Sequence, residues 1–186
     1  FILDYARLAE ELKMPMLCVG TELEKTSTKE KEWRAIIVEV RKVYSGKLTY
    51  AANFTEFEQV KFWDALDYIG VQAYFPLAKN HNPTLPELTQ SWNTHLPQIE
   101  KVIRKFKKPV LFTEIGYCNT VDAAVKPWVW PNERRETEFS EEVQALCYEA
   151  FFQTAWKKDW LAGVFFWKWY PQRHDREPDF TPQGKK

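Results

Sequence analysis

The sequence is poor in the residues that build phosphate-binding loops. Six of its 186 residues are glycine, and no GxGxxG or Walker pattern occurs. Phosphate loops need glycine where the backbone closely approaches the ligand, so a dinucleotide-binding enzyme is disfavoured. A phosphate-dependent barrel enzyme such as an aldolase is disfavoured too, because Trp167 to Pro171 occupy the place of its phosphate site.

Cysteine and histidine are equally scarce. The three cysteines match neither a CxxC metal site nor a dense disulfide framework, and the three histidines form no ligand pattern: Cys18, Cys118, Cys147, His81, His95 and His174. We therefore expect no metal and no cofactor. Cys18 and Cys147 lie in apolar segments, which predicts buried thiols.

The chain also lacks net charge and long apolar runs. It has 26 acidic and 26 basic residues, which removes the electrostatic argument for nucleic acid or an anionic membrane as partner. No apolar run approaches the roughly 20 residues that span a bilayer. No signal peptide opens the chain, but this is uninformative because Phe1 begins in the middle of a pattern.

Aromatic residues, by contrast, are abundant. They make up 16% of the chain, and nine of them are tryptophan. Tryptophan serves both cores and recognition surfaces, and both roles stay open for each of the nine. A neutral, Trp-rich protein suits a neutral, flat-faced ligand such as a sugar.

Short apolar runs alternate with amphipathic segments along the chain. The runs predict strands over residues 16–19, 48–53, 68–75, 109–113 and 164–169. Helical spacing predicts helices over 3–12, with Tyr5, Leu8 and Leu12 on one face, and over 33–44, 92–106 and 143–151. Capping boxes at Ser27–Glu30 and Thr55–Glu58 predict two helix starts, the second helix reaching Leu66, and Ser140 is a predicted N-cap.

This alternation predicts parallel strands joined by right-handed crossovers, in a doubly wound sheet or a (β/α)₈ TIM barrel. The barrel is favoured because polar and aromatic residues follow several strands: Glu22, Asn53, Tyr74, Glu114 and Trp167. A full barrel needs about 250 residues. Residues 1–186 are therefore predicted to be a single catalytic domain's C-terminal portion, a partial barrel with strands four to eight and its N-terminal strands missing.

Glu22 and Glu114 are the candidate catalytic pair. Each follows Thr at the end of an apolar strand. Glycoside hydrolysis needs two carboxyl groups in different environments, one protonated and one ionised. The alternative for either residue is an ordinary solvated loop carboxylate.

Two segments carry a family resemblance. Gly20-Thr21-Glu22 and residues 112–117 resemble the catalytic strand ends of clan A glycoside hydrolases, and more narrowly of β-mannanase family 113. Residues 72–77, 126–128, 166–169 and 179–185 match in the same order, so the resemblance covers nearly the whole chain. It implies that Glu22 is the acid/base and Glu114 the nucleophile.

The resemblance also implies roles for the neighbouring residues. Thr21 stands where many clan members carry Asn, and it would donate to a sugar hydroxyl. Tyr74 would hydrogen-bond the nucleophile, Trp167 would form the floor beneath the sugar, and Asn53 would be a polar contact. Trp167 and Trp169 are predicted to share one strand face, with Trp167 meeting substrate.

The long segment from Cys118 to Phe139 would lie on the active face of a barrel. It is interpreted as a wall of the sugar groove that carries Trp128 and Trp130, with Trp128 the better candidate for a stacking platform. The alternative is a rigid surface loop fixed by Pro127 and Pro131.

The predicted function is retaining hydrolysis of β-linked glycans, above all β-1,4-mannan or manno-oligosaccharides, by double displacement. The alternatives are β-glucan specificity and a non-catalytic carbohydrate-binding barrel. A polysaccharide substrate favours an extracytoplasmic location. Unpaired sheet edges predict that the fragment alone is poorly stable and inactive.

Overall fold

The computed structural model describes residues 1–133, 137–172 and 178–185. Helices and strands alternate there as α1 (Ile2–Glu11), β1 (Met16–Thr21), α2 (Glu24–Ser27), α3 (Glu30–Arg41), β2 (Lys47–Asn53), β3 (Ile69–Gln72), α4 (Leu85–Phe106), β4 (Val110–Ile115), α5 (Glu141–Gln153) and β5 (Leu161–Phe166). Short 3₁₀ turns cover Trp63–Ala65, Pro131–Glu133 and Ala155–Lys157.

The five strands form one parallel sheet in the order β1-β2-β3-β4-β5. Met16 pairs with Lys47 at the start of β1, and Ala51 pairs with Gly70 between β2 and β3. A doubly wound sheet reverses its strand order at a switch point. The strands here follow chain order instead, which agrees with part of a barrel.

The chain folds into two compact units, and the first comprises Phe1–Gln72 and Glu100–Thr113. Its core contains a cluster of buried aromatic rings: Trp33, Tyr50, Phe62 and Trp63. Trp33 and Phe62 stack with their centroids 5.4 Å apart. These rings fill the space between α3 and β2, so that both tryptophans serve the core rather than recognition.

Helix α1 is confirmed, but its predicted apolar face is exposed. The side chains that α1 buries are Ala6 and Ala9, whereas Tyr5, Leu8 and Leu12 are between 48% and 61% exposed. The small alanine side chains allow α1 to approach its neighbours α3 and β1 closely.

The second unit comprises Ala73–Ile99 and Glu114–Lys186. Phe75, Trp92 and Phe151 pack together in its core. Helix α5 begins as predicted, because the Ser140 side chain accepts a hydrogen bond from the N–H of Val143.

The thiols differ in burial. Cys147 is fully buried as predicted, and burial raises the pKa of its thiol. The prediction of a buried Cys18 is wrong, because this residue is half-buried on β1, the first strand of the sheet.

Neither predicted capping box forms. Ser27 Oγ donates to Glu24 O within α2, and α3 begins after Lys29 without a side-chain cap. Residues 54–59 form turns rather than a helix. In this turn, the Glu56 carboxylate accepts a hydrogen bond from the Asn53 N–H, and no helix is capped.

Helix α4 begins at Leu85, well before the predicted Trp92. Next to its start, Glu87 Oε2 accepts from both Thr84 N at 2.7 Å and the Thr84 hydroxyl at 2.8 Å, and the sequence analysis did not predict this contact. Strand β5 ends at Phe166, so Trp167 and Trp169 follow the strand and do not share a strand face. That prediction is wrong.

No helix among the described residues has the length and apolar character to cross a bilayer. In the same part of the chain, His, Cys, Asp and Glu side chains form no group of three or more that could hold a metal ion. His174 lies outside the described residues.

Candidate active site

Glu22 directly follows β1, at a point where the strand departs from regular geometry. The register between β1 and β2 shifts between Cys18 and Thr21, and Glu22 has a φ angle of 51°. Its N–H donates to Ala51 O at 2.9 Å. Positive φ is uncommon outside glycine and concentrates at functional sites, where surrounding contacts hold the strain. Glu22 and Thr21 are both exposed at this strand end.

Asn53 brings β2 into contact with Glu22. It is the last residue of β2, and its Nδ2 donates to Glu22 Oε1 at 3.3 Å. Its Oδ1 is buried and has no hydrogen-bond partner within the described residues. The strand-end position that the sequence suggested for Asn53 therefore carries a direct contact with the candidate acid/base.

Glu114 belongs to β4 and meets Tyr74 at the end of β3. The Tyr74 hydroxyl donates to Glu114 Oε2 at 2.9 Å, and Ala73 N donates to Glu114 O at 2.7 Å. Tyr74 is almost completely buried and Glu114 is half-buried. A phenol fixed in this way orients the carboxylate and stabilises its negative charge.

Trp167 is held against the segment that follows Glu114. Its N–H donates to Ile115 O at 2.8 Å. A Cβ atom added at Gly116 would overlap the Trp167 carbonyl oxygen, so glycine permits this close backbone approach. The peptide bond between Trp167 and Lys168 is cis.

A group of aromatic rings surrounds Lys168 next to Trp167. The Lys168 Nζ lies 5.4 Å from the Trp167 ring centroid, 5.7 Å from that of Trp130 and 4.6 Å from that of Tyr170. Trp130 meets Trp167 edge-on, with centroids 6.0 Å apart and an interplanar angle of 89°. The ammonium group thus links three rings by cation–π contacts.

The sequence analysis preferred Trp128 to Trp130 and gave Lys168 no role. Trp128, the predicted platform, is 41% exposed, and Trp130 is 49% exposed in the same loop. The spacing of two residues between these tryptophans was a usable signal, but it could not show which ring meets Trp167. The role of Trp128 stays a prediction.

The fold and the strand-end residues agree with what known proteins show. Strands in chain order, alternating helices and polar strand ends define part of a (β/α)₈ barrel. A model of Glycoside Hydrolase Family 113 matches residues 1–184. The chain belongs to this family, and the resemblance inferred from its strand-end motifs is confirmed.

Solved structures agree with the fold. A GH113 β-1,4-mannanase is 30% identical with a TM-score of 0.84, and the match covers 99% of this chain and 58% of that one. The GH113 β-mannanase from Alicyclobacillus acidocaldarius in complex with ManMIm is also 30% identical, with a TM-score of 0.80 and coverage of 97% and 54%. The chain thus spans somewhat more than half the length of these proteins.

A more distant structure shares the fold alone. The β-D-glucuronidase of Dictyoglomus thermophilum is 19% identical, with a TM-score of 0.65 over 96% of this chain and 31% of that one. A search of curated proteins gave no match. The fold prediction of a partial (β/α)₈ barrel is confirmed by these structures.

Proposed function

We propose that the protein containing this chain is a retaining glycoside hydrolase that cleaves β-1,4-mannan and manno-oligosaccharides. Membership of family 113 supports hydrolysis of glycosidic bonds. The mannan specificity is supported by two structurally similar proteins, which are described as a β-1,4-mannanase and a β-mannanase.

The observation that carries this proposal is the hydrogen bond of 2.9 Å from Tyr74 to Glu114. It presents an oriented, half-buried carboxylate at a strand end, as a nucleophile requires. Glu22 is exposed and contacts the Asn53 amide, an environment suited to exchanging protons with a leaving group and with water.

The reaction is a double displacement. A Glu114 oxygen bonds to the anomeric carbon while the glycosidic bond breaks, and the departing oxygen takes a proton from Glu22. Water then attacks the same carbon and releases Glu114, while Glu22 takes the proton from that water. These steps need neither a metal nor an organic cofactor.

The remaining predicted residues bind the sugar. Trp167 supplies the floor beneath the cleaved unit, and Trp128 stacks on the chain at the groove wall. Thr21 and Asn53 contact sugar hydroxyls, at the strand ends that also carry Glu22 and its hydrogen bond from Asn53. Flat aromatic surfaces and neutral hydrogen-bonding groups match an uncharged polysaccharide.

The test is hydrolysis of linear β-1,4-mannan, mannohexaose and cellohexaose by the full-length protein. The rate is measured from the reducing ends that are released. The wild type is expected to cleave both mannan substrates faster than cellohexaose. Glu22→Ala and Glu114→Ala should each lower kcat/KM on mannohexaose by about 10²- to 10⁴-fold. Glu24→Ala is the matched control, because Glu24 is exposed and begins α2 two residues after Glu22.

Two results would contradict the proposal. Binding of mannohexaose without release of reducing ends would identify a non-catalytic carbohydrate-binding barrel. Faster cleavage of cellohexaose would assign β-glucan specificity instead.

A further inference from the structure

The first unit buries a carboxylate close to the candidate acid/base. Glu56, in the turn after β2, is 1% exposed. A buried carboxylate is costly unless its oxygens are hydrogen-bonded. Here both oxygens have partners, because Oε1 accepts from the Tyr50 hydroxyl at 2.6 Å and Oε2 accepts from Asn53 N at 3.2 Å.

The Tyr50 hydroxyl has a second partner in addition to Glu56. It accepts a hydrogen bond from Leu23 N at 2.9 Å, so the phenol links Glu56 to the residue directly after Glu22. Burial, together with the hydrogen bond to Glu56, raises the pKa of Tyr50. The phenol therefore stays protonated and remains a donor to Glu56.

The aromatic core holds the Tyr50 ring in place. The ring meets Trp33 edge-on at 5.1 Å, and a Cβ atom added at Gly20 would lie 3.1 Å from the Tyr50 ring. Glycine at position 20 thus gives the ring room beside β1. The hydroxyl is therefore fixed by packing and does not depend on its hydrogen bonds alone.

Two chains of hydrogen bonds lead from Glu56 to Glu22 and to its neighbour Leu23. One runs through Tyr50 to Leu23 N, which anchors the backbone immediately after Glu22. The other runs through Asn53 N to the residue whose side chain contacts Glu22 Oε1. Glu22 has a φ of 51°, a conformation that persists where surrounding contacts determine it.

We propose that Glu56 is a positioning residue which, through Tyr50 and Asn53, holds the Glu22 carboxyl group for proton transfer. This inference rests on the proposed role of Glu22 as acid/base. Glu56 and Tyr50 do not touch the substrate, and their effect is confined to the step in which Glu22 transfers a proton.

The test compares two substrates that differ in their need for an acid. Mannohexaose has a poor leaving group and requires protonation, whereas the dinitrophenolate of 2,4-dinitrophenyl β-mannobioside departs without it. The value of kcat/KM reports the first displacement in both cases. Tyr50→Phe removes the bridging hydroxyl, and Glu56→Gln replaces one acceptor oxygen with an NH₂ group.

Both variants are expected to lower kcat/KM on mannohexaose by about 10- to 100-fold, the cost of a misplaced catalytic group. On the dinitrophenyl substrate the loss should stay within about threefold, because the acid is not needed there. Tyr44→Phe and Glu58→Gln are the matched controls. Tyr44 is a buried tyrosine bonded to Met14 O, and Glu58 is an exposed carboxylate paired with Lys101. Neither control should lower kcat/KM on mannohexaose more than on the dinitrophenyl substrate.

An equal loss on both substrates, or no loss on mannohexaose, would overturn the proposal. Thermal unfolding of each variant shows whether an equal loss reflects damage to the core. Glu22→Ala is measured alongside, and its losses of kcat/KM on the two substrates should differ more than those of either variant. If Glu22→Ala does not separate them, the acid/base assignment itself fails, and the positioning role falls with it.

Discussion

At the scale of single residues, the two carboxylates of the proposed pair have different surroundings. Glu114 is half-buried and receives a phenolic hydrogen bond from Tyr74, whereas Glu22 is exposed and receives an amide hydrogen bond from Asn53. Retaining hydrolysis assigns different protonation states to its two carboxyl groups, and such differences arise from unlike environments. The contacts therefore suit the division of roles between nucleophile and acid/base.

His95 gives a prediction for the dependence of stability on pH. Its ring stacks on Phe75 with centroids 4.7 Å apart, and its Nε2 lies 3.0 Å from Pro76 O. Burial lowers the pKa of His95, although the hydrogen bond with Pro76 opposes this shift. Below about pH 6.5 the unfolded chain therefore binds a proton more readily than the folded chain, so folding stability falls as the pH falls.

We therefore expect the unfolding midpoint of the wild type to fall more steeply than that of His95→Gln between about pH 6.5 and pH 5. His81→Gln, which changes an exposed histidine, is the control and should follow the wild type. The measurement is thermal unfolding by circular dichroism across this pH range. Parallel curves for the wild type and His95→Gln would show that His95 does not contribute.

At the scale of helices and strands, the apolar runs predicted the sheet well. All five strands form near their predicted positions. Buried parallel strands need nearly continuous apolar residues, and β2, β3 and β4 are such strands. The apolar runs also predicted where the strands end, and therefore that Glu22, Asn53 and Glu114 lie at or next to strand ends. The local pattern was sufficient for β2, β3 and β4, because their burial leaves few alternatives. Strands β1 and β5 are partly exposed but keep the apolar run.

Helix starts were predicted less well, because tertiary contacts decide how a polar side chain is used. The Thr55–Glu58 spacing matches a capping box, yet Glu56 between them bonds to Tyr50 and Asn53 and the segment forms turns. The position of Tyr50 beside Glu56 depends on packing in the core. Periodicity does not contain that information, so the proposed positioning role of Glu56 could not be predicted from the sequence.

The segment after β4 carries a prediction about Gly116. Gly116→Ala would place a Cβ atom against the Trp167 carbonyl oxygen and push the Trp167 backbone away from Ile115. We expect a loss of about 1–3 kcal/mol in unfolding free energy, as for other overpacked sites. The value of kcat/KM on mannohexaose should fall as well, because Trp167 lies beneath the sugar in the proposed site.

Denaturant unfolding and steady-state kinetics check this prediction. A variant with wild-type stability and activity would mean that the close approach of the two backbones is not required.

At the scale of the whole molecule, the chain spans 58% of a GH113 β-1,4-mannanase. Apolar side chains are exposed on α1 and on the end strand β5, among them Leu8, Leu12 and Phe165. Exposed apolar surface of this kind favours association with further protein. The expectation that these 186 residues alone are poorly stable and inactive stays a prediction.

The proposed roles of the two carboxylates can be told apart in the full-length protein by chemical rescue. Azide can replace a missing carboxylate, and the face from which it attacks depends on which one is absent. In Glu114→Ala, azide takes the place of the nucleophile and attacks the anomeric carbon directly. In Glu22→Ala, Glu114 first forms the glycosyl-enzyme, and azide then attacks from the opposite face.

The most direct measurement is therefore the anomeric configuration of the glycosyl azide that each variant forms from 2,4-dinitrophenyl β-mannobioside, determined by NMR. We predict the α-azide from Glu114→Ala and the β-azide from Glu22→Ala. The same anomer from both variants, or the opposite assignment, would contradict the proposed roles of Glu22 and Glu114.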